Sequence, residues 1–300
     1  MFDVPVLLII YKRKDTIEKL INQLRLVRPK YLFIAADGPK NNVDIEKCAE
    51  TRNVINNIDW DCEVKTLFQE KNLGVALGPK TAIDWFFENN EMGIIFEDDI
   101  FPSLDFFPFC DILLKKYKDE PQVMHISAMN FHFGKNVVKD SYYFSKVISP
   151  WGWASWRRAW KLFDFQVKDL YENIDNIDMP EFYKTELLAY KKVLDNYQNN
   201  NELYAWDYQW LYCVLKHKAV GIVPSKNLAL NIGFDSADAS NTFTAPHWAK
   251  KLKLESLQLT KHPKDIYINK EADELTFKAI LSNHKPNYFE RVKNKLLRFF

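Results

Sequence analysis

The hydrophobic positions in the first half of the chain form short apolar runs that alternate with amphipathic stretches. Runs rich in Val, Leu, Ile and Phe predict buried strands at residues 5–11, 31–36, 62–68, 93–96 and 123–127. Apolar residues at helical spacing predict helices between them, at about residues 16–28, 43–58, 74–87 and 103–117. This regular alternation predicts an α/β fold, Rossmann-like, with a mostly parallel central sheet flanked by helices.

The second half of the chain is less regular. Apolar runs at residues 142–148 and 219–223 predict two further strands. Helical spacing indicates helices over about 181–198 and 205–218, and a polar loop follows at about 233–246. The residues beyond about 250 are charged and helical in pattern.

The chain shows no internal repeat and no clear linker. Its 300 residues suit one large domain with a modest C-terminal extension. We therefore expect a domain over 1–245, built from the halves 1–130 and 131–245. A helical C-terminal extension is expected over 246–300.

Composition disfavours several classes of protein. The formal net charge is +1, which provides no long-range field for nucleic acid. The four cysteines are scattered without a C-x-x-C pair, which argues against a zinc knuckle or a disulfide framework and indicates a reducing compartment. No apolar run approaches the roughly 20 residues that span a bilayer, and the apolar N-terminus lacks the basic flank of a signal peptide. We expect a protein that is soluble or sits on a membrane surface.

Charged residues directly follow three of the predicted strands. Arg13 follows the first strand, Asp37 the second, and the run Glu97-Asp98-Asp99 the fourth. Ligands of doubly wound sheets bind beyond the carboxyl ends of the strands. These residues therefore predict a nucleotide site at that edge of the sheet.

The run Glu97-Asp98-Asp99 is the sharpest chemical signal in the sequence. Three adjacent acids repel one another and contribute little to packing. Hard divalent cations such as Mg²⁺ and Mn²⁺ take carboxylate ligands and leave positions open for a diphosphate, whose charge they then offset. The alternative interpretation is a solvated acidic loop, with Asp98 or Asp99 capping the following helix.

Arg13 and Asp37 each have two interpretations. The cation at Arg13, beside Lys12 and Lys14, suits a phosphate group or simply covers the end of the sheet. The carboxylate of Asp37 accepts hydrogen bonds from a base or ribose, or it stabilises the Asp-Gly turn that it begins.

Asp207 begins the amphipathic helix of the second half. A carboxylate at a helix start commonly acts as a cap or a partner of the helix dipole. Trp206 and Tyr208 flank Asp207 and would partly desolvate it. In that setting the carboxylate suits a general base that takes a proton from a sugar hydroxyl.

Four tryptophans crowd one short segment of the second half. Trp156 and Trp160 lie one helical turn apart and are expected in the core. Trp151 and Trp153 flank Gly152, which predicts a tight loop in which flat rings pack against a sugar. Core filling is the alternative for these two residues as well.

Taken together, these segments resemble the GT-A superfamily of glycosyltransferases. Residues 4–14, 35–38, 94–107 and 206–210 follow, in order and approximate spacing, the N-acetylglucosaminyltransferases that initiate complex N-glycans in eukaryotes. The continuation of the acidic run as Ile-Phe-Pro-Ser-Leu-Asp-Phe-Phe is especially similar. Bacterial sugar transferases of this superfamily share a Pro-Trp-Gly-Trp-Ala-x-Trp-Arg segment like residues 150–157. The similarity covers about residues 4–245.

The resemblance implies a role for each of the charged residues. Arg13 and Asp37 would hold the nucleotide, and Glu97 and Asp98 would contact uridine, ribose or sugar hydroxyls. Asp99 would ligate Mn²⁺ or Mg²⁺.

The resemblance also implies functions in the second half of the chain. Asp207 would be the catalytic base of an inverting reaction, with Trp206, Trp151 and Trp153 in the nucleotide-sugar site. Residues 234–244 would correspond to a loop that orders over the bound donor. The chain departs from the family at Lys12, at Gln209 and throughout that loop, so the donor sugar and the acceptor do not carry over.

The function implied by the resemblance is transfer of a sugar from a UDP-sugar to a hydroxyl of a glycan or lipid-linked saccharide. UDP-N-acetylglucosamine is the leading donor, followed by a UDP-hexose. The family's N-terminal membrane anchor and lumenal stem have no counterpart here, which favours a cytoplasmic enzyme of bacterial surface glycans. The alternatives are a sugar-phosphate nucleotidyltransferase and a non-catalytic sugar-nucleotide-binding module. A nucleotidyltransferase normally has a glycine-rich phosphate loop near the first strand, and residues 11–16 contain no glycine.

The last residues of the chain have a pattern of their own. Apolar residues recur at helical spacing over 288–300, and basic residues occupy the sides and back. Such a helix suits the surface of an anionic membrane. An ordinary helix that docks on protein is the alternative.

Overall fold

The computed structural model describes residues 2–179, 181–195, 205–234 and 248–281. The described residues form ten strands and nine α-helices. The strands are β1 Val6–Ile10, β2 Tyr31–Ala36, β3 Glu63–Phe68, β4 Met92–Glu97, β5 Ile100–Pro102, β6 Val123–Ser127, β7 Tyr142–Ser145, β8 Trp153–Trp156, β9 Val220–Pro224 and β10 Ala229–Asn231. The helices are α1 Lys14–Val27, α2 Asn42–Arg52, α3 Gly74–Asn89, α4 Phe106–Lys116, α5 Arg157–Trp160, α6 Leu170–Asn173, α7 Glu181–Asp195, α8 Asp207–Lys216 and α9 Lys270–Leu281.

Eight of these strands form one central sheet in the order β3-β2-β1-β4-β8-β6-β9-β7. Strands β3, β2, β1 and β4 are parallel to one another, and β6 is parallel to β9. Strands β8 and β7 run antiparallel to their neighbours. The predicted α/β class, with a mostly parallel central sheet flanked by helices, is confirmed.

Strand β8 begins directly after the bend at Gly152, where φ is +73°. Trp153 begins this strand and pairs with Ile95 of β4 and Ser127 of β6. Its side chain is 1% exposed. Of the two interpretations from sequence, the structure shows core filling for Trp153, because its ring is enclosed. Trp156 and Trp160 are buried as predicted.

Helices cover both faces of the sheet because each has one apolar stripe. The stripe of α1, formed by Ile17, Leu20, Ile21 and Leu24, is fully buried in the same core as the apolar side of α4. The opposite face of the sheet packs against α3 and α8. The charged ends of the strands therefore emerge between two well-packed layers.

The C-terminal part of the described chain crosses the edge of the sheet. Asn269 donates from its backbone N–H to the carbonyl of Phe144 on the edge strand β7 (2.9 Å), and Ser141 donates to the carbonyl of Lys261 (3.0 Å). Between the short 3₁₀ turn Ala249–Lys251 and α9 the chain is not helical. The prediction of a helical extension thus holds for α9 but not for the residues that lead to it.

Two sequence predictions fall outside the described residues. They are the loop at 234–244, of which Phe234 alone is described, and the basic amphipathic segment 288–300. Among the helices that the structure does describe, none combines the length and apolar character needed to cross a membrane.

Candidate active site at the carboxyl ends of the strands

The end of β1 and the end of β4 bring Arg13 to the acidic run. These strands are parallel neighbours, with Ile9 opposite Glu97. The guanidinium Nη1 of Arg13 lies 3.2 Å from Oδ1 of Asp98 and 2.6 Å from Oδ2 of Asp99. The structure therefore places three of the sequence-predicted residues in one cluster, where a cation already meets two carboxylates.

Asp98 and Asp99 differ in how their oxygens are bonded. Asp98 accepts a second hydrogen bond from the backbone N–H of Tyr11 (3.1 Å), so both of its oxygens have partners. Asp99 uses Oδ2 for Arg13, and its buried Oδ1 has no hydrogen-bond partner within the described parts of the chain. A buried carboxylate oxygen without a donor is costly unless a ligand such as a metal ion completes it.

Gly233 confines Asp99 from the other side. Strand β10 pairs with β5, and Ile232 donates from its backbone to the carbonyl of Asp99 (2.8 Å). A Cβ atom at position 233 would lie 2.5 Å from Oδ2 and 2.6 Å from Cβ of Asp99. This contact is not predictable from the sequence, because the pairing of β10 with β5 is long-range.

Burial and mutual repulsion disfavour the charged forms of the carboxylates in this cluster. Burial, followed by repulsion from Asp99 and Asp98, raises the pKa of Glu97 to about 8. Burial also raises the pKa of Asp98 to about 7, against the opposing effect of Arg13. The Trp206 indole donates a hydrogen bond to Glu97, which favours its charged form. A further cation at this point would relieve the repulsion.

Asp207 lies at the first position of α8, close enough to Glu97 for its charge to raise the pKa of that residue. Its carboxylate is half-buried, and the backbone N–H groups of Asp207 and Tyr208 favour its charged form. Burial raises the pKa of Asp207. The residue thus presents a carboxylate beside the acidic cluster, at the start of its helix.

A metal ion fits this site only as a partly open complex. Within the described ranges, no group of three or more His, Cys, Asp or Glu side chains could enclose one. Mg²⁺ and related ions are commonly held by one or two carboxylates plus substrate phosphates and water. Asp99, with its unpaired Oδ1, meets that pattern.

Both carboxylate oxygens of Asp37 already accept hydrogen bonds from the protein. Its Oδ1 accepts hydrogen bonds from the backbone of Gly38 (2.8 Å) and Leu73 (2.7 Å). Its Oδ2 accepts from the backbone of Gly74 and the side chain of Asn72, both at 2.9 Å. This anchors the start of α3 to the end of β2. Of the two interpretations from sequence, the structure shows the turn; direct contact of Asp37 with a base would compete with four existing bonds.

The aromatic candidates Trp151 and Trp206 differ in how far their rings are buried. Trp206 is 4% exposed and packs 5.7 Å from Trp153, so it belongs to the core beneath the site. Trp151 is half-buried, lies 5.6 Å from Trp248 in a stacked pair, and meets the edge of Phe234 at 5.7 Å. Trp151 therefore contacts the residue that follows Gly233, whereas Trp206 reaches Glu97 through its indole N–H.

Comparison with known proteins assigns this chain to no family. No protein-family model matches the chain, and no curated protein matches it. Among solved structures, UDP-glucose pyrophosphorylase complexed with UDP-glucose is similar at 9% identity over 74% of this chain and 90% of that chain, with a TM-score of 0.38.

Two further solved structures show similar values. Mouse xyloside xylosyltransferase 1 in its apo form has 10% identity over 74% of this chain and 84% of that chain, with a TM-score of 0.33. The 4-diphosphocytidyl-2C-methyl-D-erythritol synthase of Anaerococcus prevotii has 10% identity over 67% and 87%, with a TM-score of 0.32. Likeness of this size does not assign the chain to a family, and the relation to N-acetylglucosaminyltransferases stays a resemblance of motifs.

Proposed function

We propose that this chain is an inverting, metal-dependent glycosyltransferase that uses a UDP-sugar donor. The observation that carries the proposal is the pair Asp99 and Arg13: a buried carboxylate with one unpaired oxygen, beside an arginine, at the carboxyl ends of β1 and β4. A metal ion on one side and a guanidinium on the other suit the two phosphates of a nucleoside diphosphate.

In this proposal Asp99 holds Mn²⁺ or Mg²⁺ through its unpaired oxygen. The ion supplies positive charge against the leaving diphosphate. Arg13 exchanges part of its contact with Asp98 and Asp99 for the diphosphate, to which it offers planar, paired N–H donors. Glu97, which lies beside these carboxylates, contacts ribose or sugar hydroxyls in this proposal.

Asp207 acts as the general base. Its carboxylate takes the proton of the acceptor hydroxyl while the hydroxyl oxygen forms a bond to C1 of the donor sugar. The bond from C1 to the diphosphate oxygen breaks on the opposite side, and UDP leaves with the electron pair. Attack opposite to the leaving group inverts the configuration at C1. Trp151, which is half-buried and contacts Phe234 next to Gly233, offers a flat ring to a sugar.

The finer assignments rest on the sequence motifs. We propose UDP-N-acetylglucosamine as the first donor and a UDP-hexose as the second. The acceptor is a hydroxyl of a bacterial glycan or lipid-linked saccharide, reached on the cytoplasmic side of the membrane. Contact with the membrane surface through residues 288–300 remains a sequence prediction.

The test is incubation of the full chain with a panel of UDP-sugars, with and without Mn²⁺. Metal-dependent release of UDP supports the proposal. A parallel incubation with sugar 1-phosphate and UTP that yields UDP-sugar and pyrophosphate would instead identify a nucleotidyltransferase. Calorimetric binding of UDP-sugar without turnover under any of these conditions would identify a binding module and refute the proposed reaction.

A further inference from the structure

His125 occupies a buried junction behind the proposed active site. It lies on β6 and is 0% exposed. Its Nδ1 receives a hydrogen bond from the indole Nε1 of Trp210 (3.1 Å). Its Nε2 lies 3.0 Å from the carbonyl oxygen of Ser149 and 3.0 Å from Oγ of Ser127. The imidazole therefore uses both ring nitrogens, on two different parts of the chain.

The hydrogen bonds assign the proton of this ring. An indole N–H only donates, so Nδ1 must be an acceptor. The proton then sits on Nε2, which donates to Ser149 or Ser127. Burial lowers the pKa of His125 to about 3, which keeps the ring neutral at physiological pH. The ring is further fixed by stacking on Trp153, with centroids 5.1 Å apart and planes at 12°.

Two partners of His125 lie close in sequence to residues of the proposed site. Trp210 lies three residues after Asp207, so both belong to the first turns of α8. Ser149 precedes Trp151 by two residues. The packing of the indole and the hydrogen bond to β6 together set the rotation of α8 about its axis.

We propose that His125 is a positioning residue: through Trp210 it fixes the orientation of Asp207, and through Ser149 it fixes the loop that carries Trp151. This inference rests on the proposed function, since it concerns the geometry of the proposed base. The position of a catalytic group strongly affects the rate, because a displacement of about 1 Å lowers the rate roughly 10²-fold.

The experiment compares two variants that remove the same hydrogen bond from opposite ends. His125→Phe keeps a flat ring on Trp153 but cannot accept from Trp210. Trp210→Phe keeps an aromatic side chain on α8 but cannot donate a hydrogen bond to His125. If His125→Phe does not fold, Trp210→Phe provides the test. Each is measured for kcat, donor KM and Tm on the UDP-sugar and metal that give turnover, alone and combined with Asp207→Asn.

His132→Phe is the matched control. His132 is 3% exposed, stacks on Tyr143 (5.6 Å, 16°) and lies 3.1 Å from the carbonyl of Ala272. It is thus a buried, stacked and hydrogen-bonded histidine like His125, but its shorter hydrogen bonds, to Ala272 and Thr276, reach α9. This control should lose stability to a similar degree while kcat stays close to that of the wild type.

We expect His125→Phe and Trp210→Phe to lower kcat by about 10²-fold with little change in donor KM. Residues that act through one another are non-additive, so this loss should largely disappear in the Asp207→Asn background. An equal loss in both backgrounds, or lower Tm with unchanged kcat, would refute the positioning role alone. Wild-type kcat in Asp207→Asn by itself would refute the proposed base, and with it this inference.

Discussion

Replacement of Arg13 by alanine tests the electrostatics of the site without any assay of turnover. The side chains of Arg13, Asp98 and Asp99 are 14%, 8% and 12% exposed. Loss of one partner from a buried ion pair leaves an uncompensated charge and costs about 3–5 kcal/mol. Because water still reaches the edge of this cluster, we expect the lower end, about 3 kcal/mol. Arg25→Ala is the control, since its pair with Asp59 is 35% and 62% exposed and should contribute about 1 kcal/mol or less.

Urea unfolding of both variants measures these free energies. Mn²⁺ should then stabilise Arg13→Ala more than it stabilises the wild type, because the cation replaces the missing charge and no longer competes with the guanidinium for Asp99. An ion at 100 times its Kd adds about 2.7 kcal/mol, which would offset most of the loss. Equal costs for Arg13→Ala and Arg25→Ala would refute the buried pair. A Mn²⁺ effect no larger in Arg13→Ala than in the wild type would refute the cation site.

Three further substitutions test individual residues. Asp99→Asn should keep its fold and lose the Mn²⁺-dependent gain in UDP affinity, because an amide is a weaker ligand for a hard cation; calorimetry measures this, and an unchanged gain would remove Asp99 as the ligand. Asp207→Asn should leave donor affinity intact and lower kcat by about 10²–10⁴-fold, whereas near-normal kcat would leave it as a helix cap. Gly233→Ala should lower the unfolding free energy by about 1–3 kcal/mol through overpacking, and it should weaken Mn²⁺-dependent UDP binding. Wild-type values of both quantities would show that Asp99 moves away from the new methyl group, and would refute the prediction.

The regular part of the fold was predictable because its signals are local. The stripe on α1 follows from helical spacing alone, and all four residues that define it are buried. The strands β1, β2 and β4 are apolar runs with both faces covered, a pattern typical of parallel strands. Their carboxyl ends then had to meet at one edge, so Arg13 and the acidic run could be brought together from the sequence.

Strand β8 was not predictable because its stability depends on distant neighbours. Residues 153–156 follow a Pro-Trp-Gly turn and resemble a loop in sequence. The hydrophobic pattern does not indicate that another strand lies between β4 and β6 in the sheet. The insertion is antiparallel, so it also breaks the βα alternation. For the same reason the sequence could not show that the ring of Trp153 faces the core instead of the ligand.

The roles within the acidic run depend on contacts that adjacent residues do not share. Asp98 and Asp99 are equivalent by composition, and both are nearly buried. The backbone N–H of Tyr11 reaches Asp98 from β1, while Gly233 reaches Asp99 from the segment after β10. One carboxylate is therefore committed to holding β4 and β1 together, and the other keeps an oxygen without a donor. A cation that binds here therefore binds Asp99, and the two single variants should differ in effect. Asp98→Asn should mainly lower stability, whereas Asp99→Asn should mainly weaken metal-dependent binding.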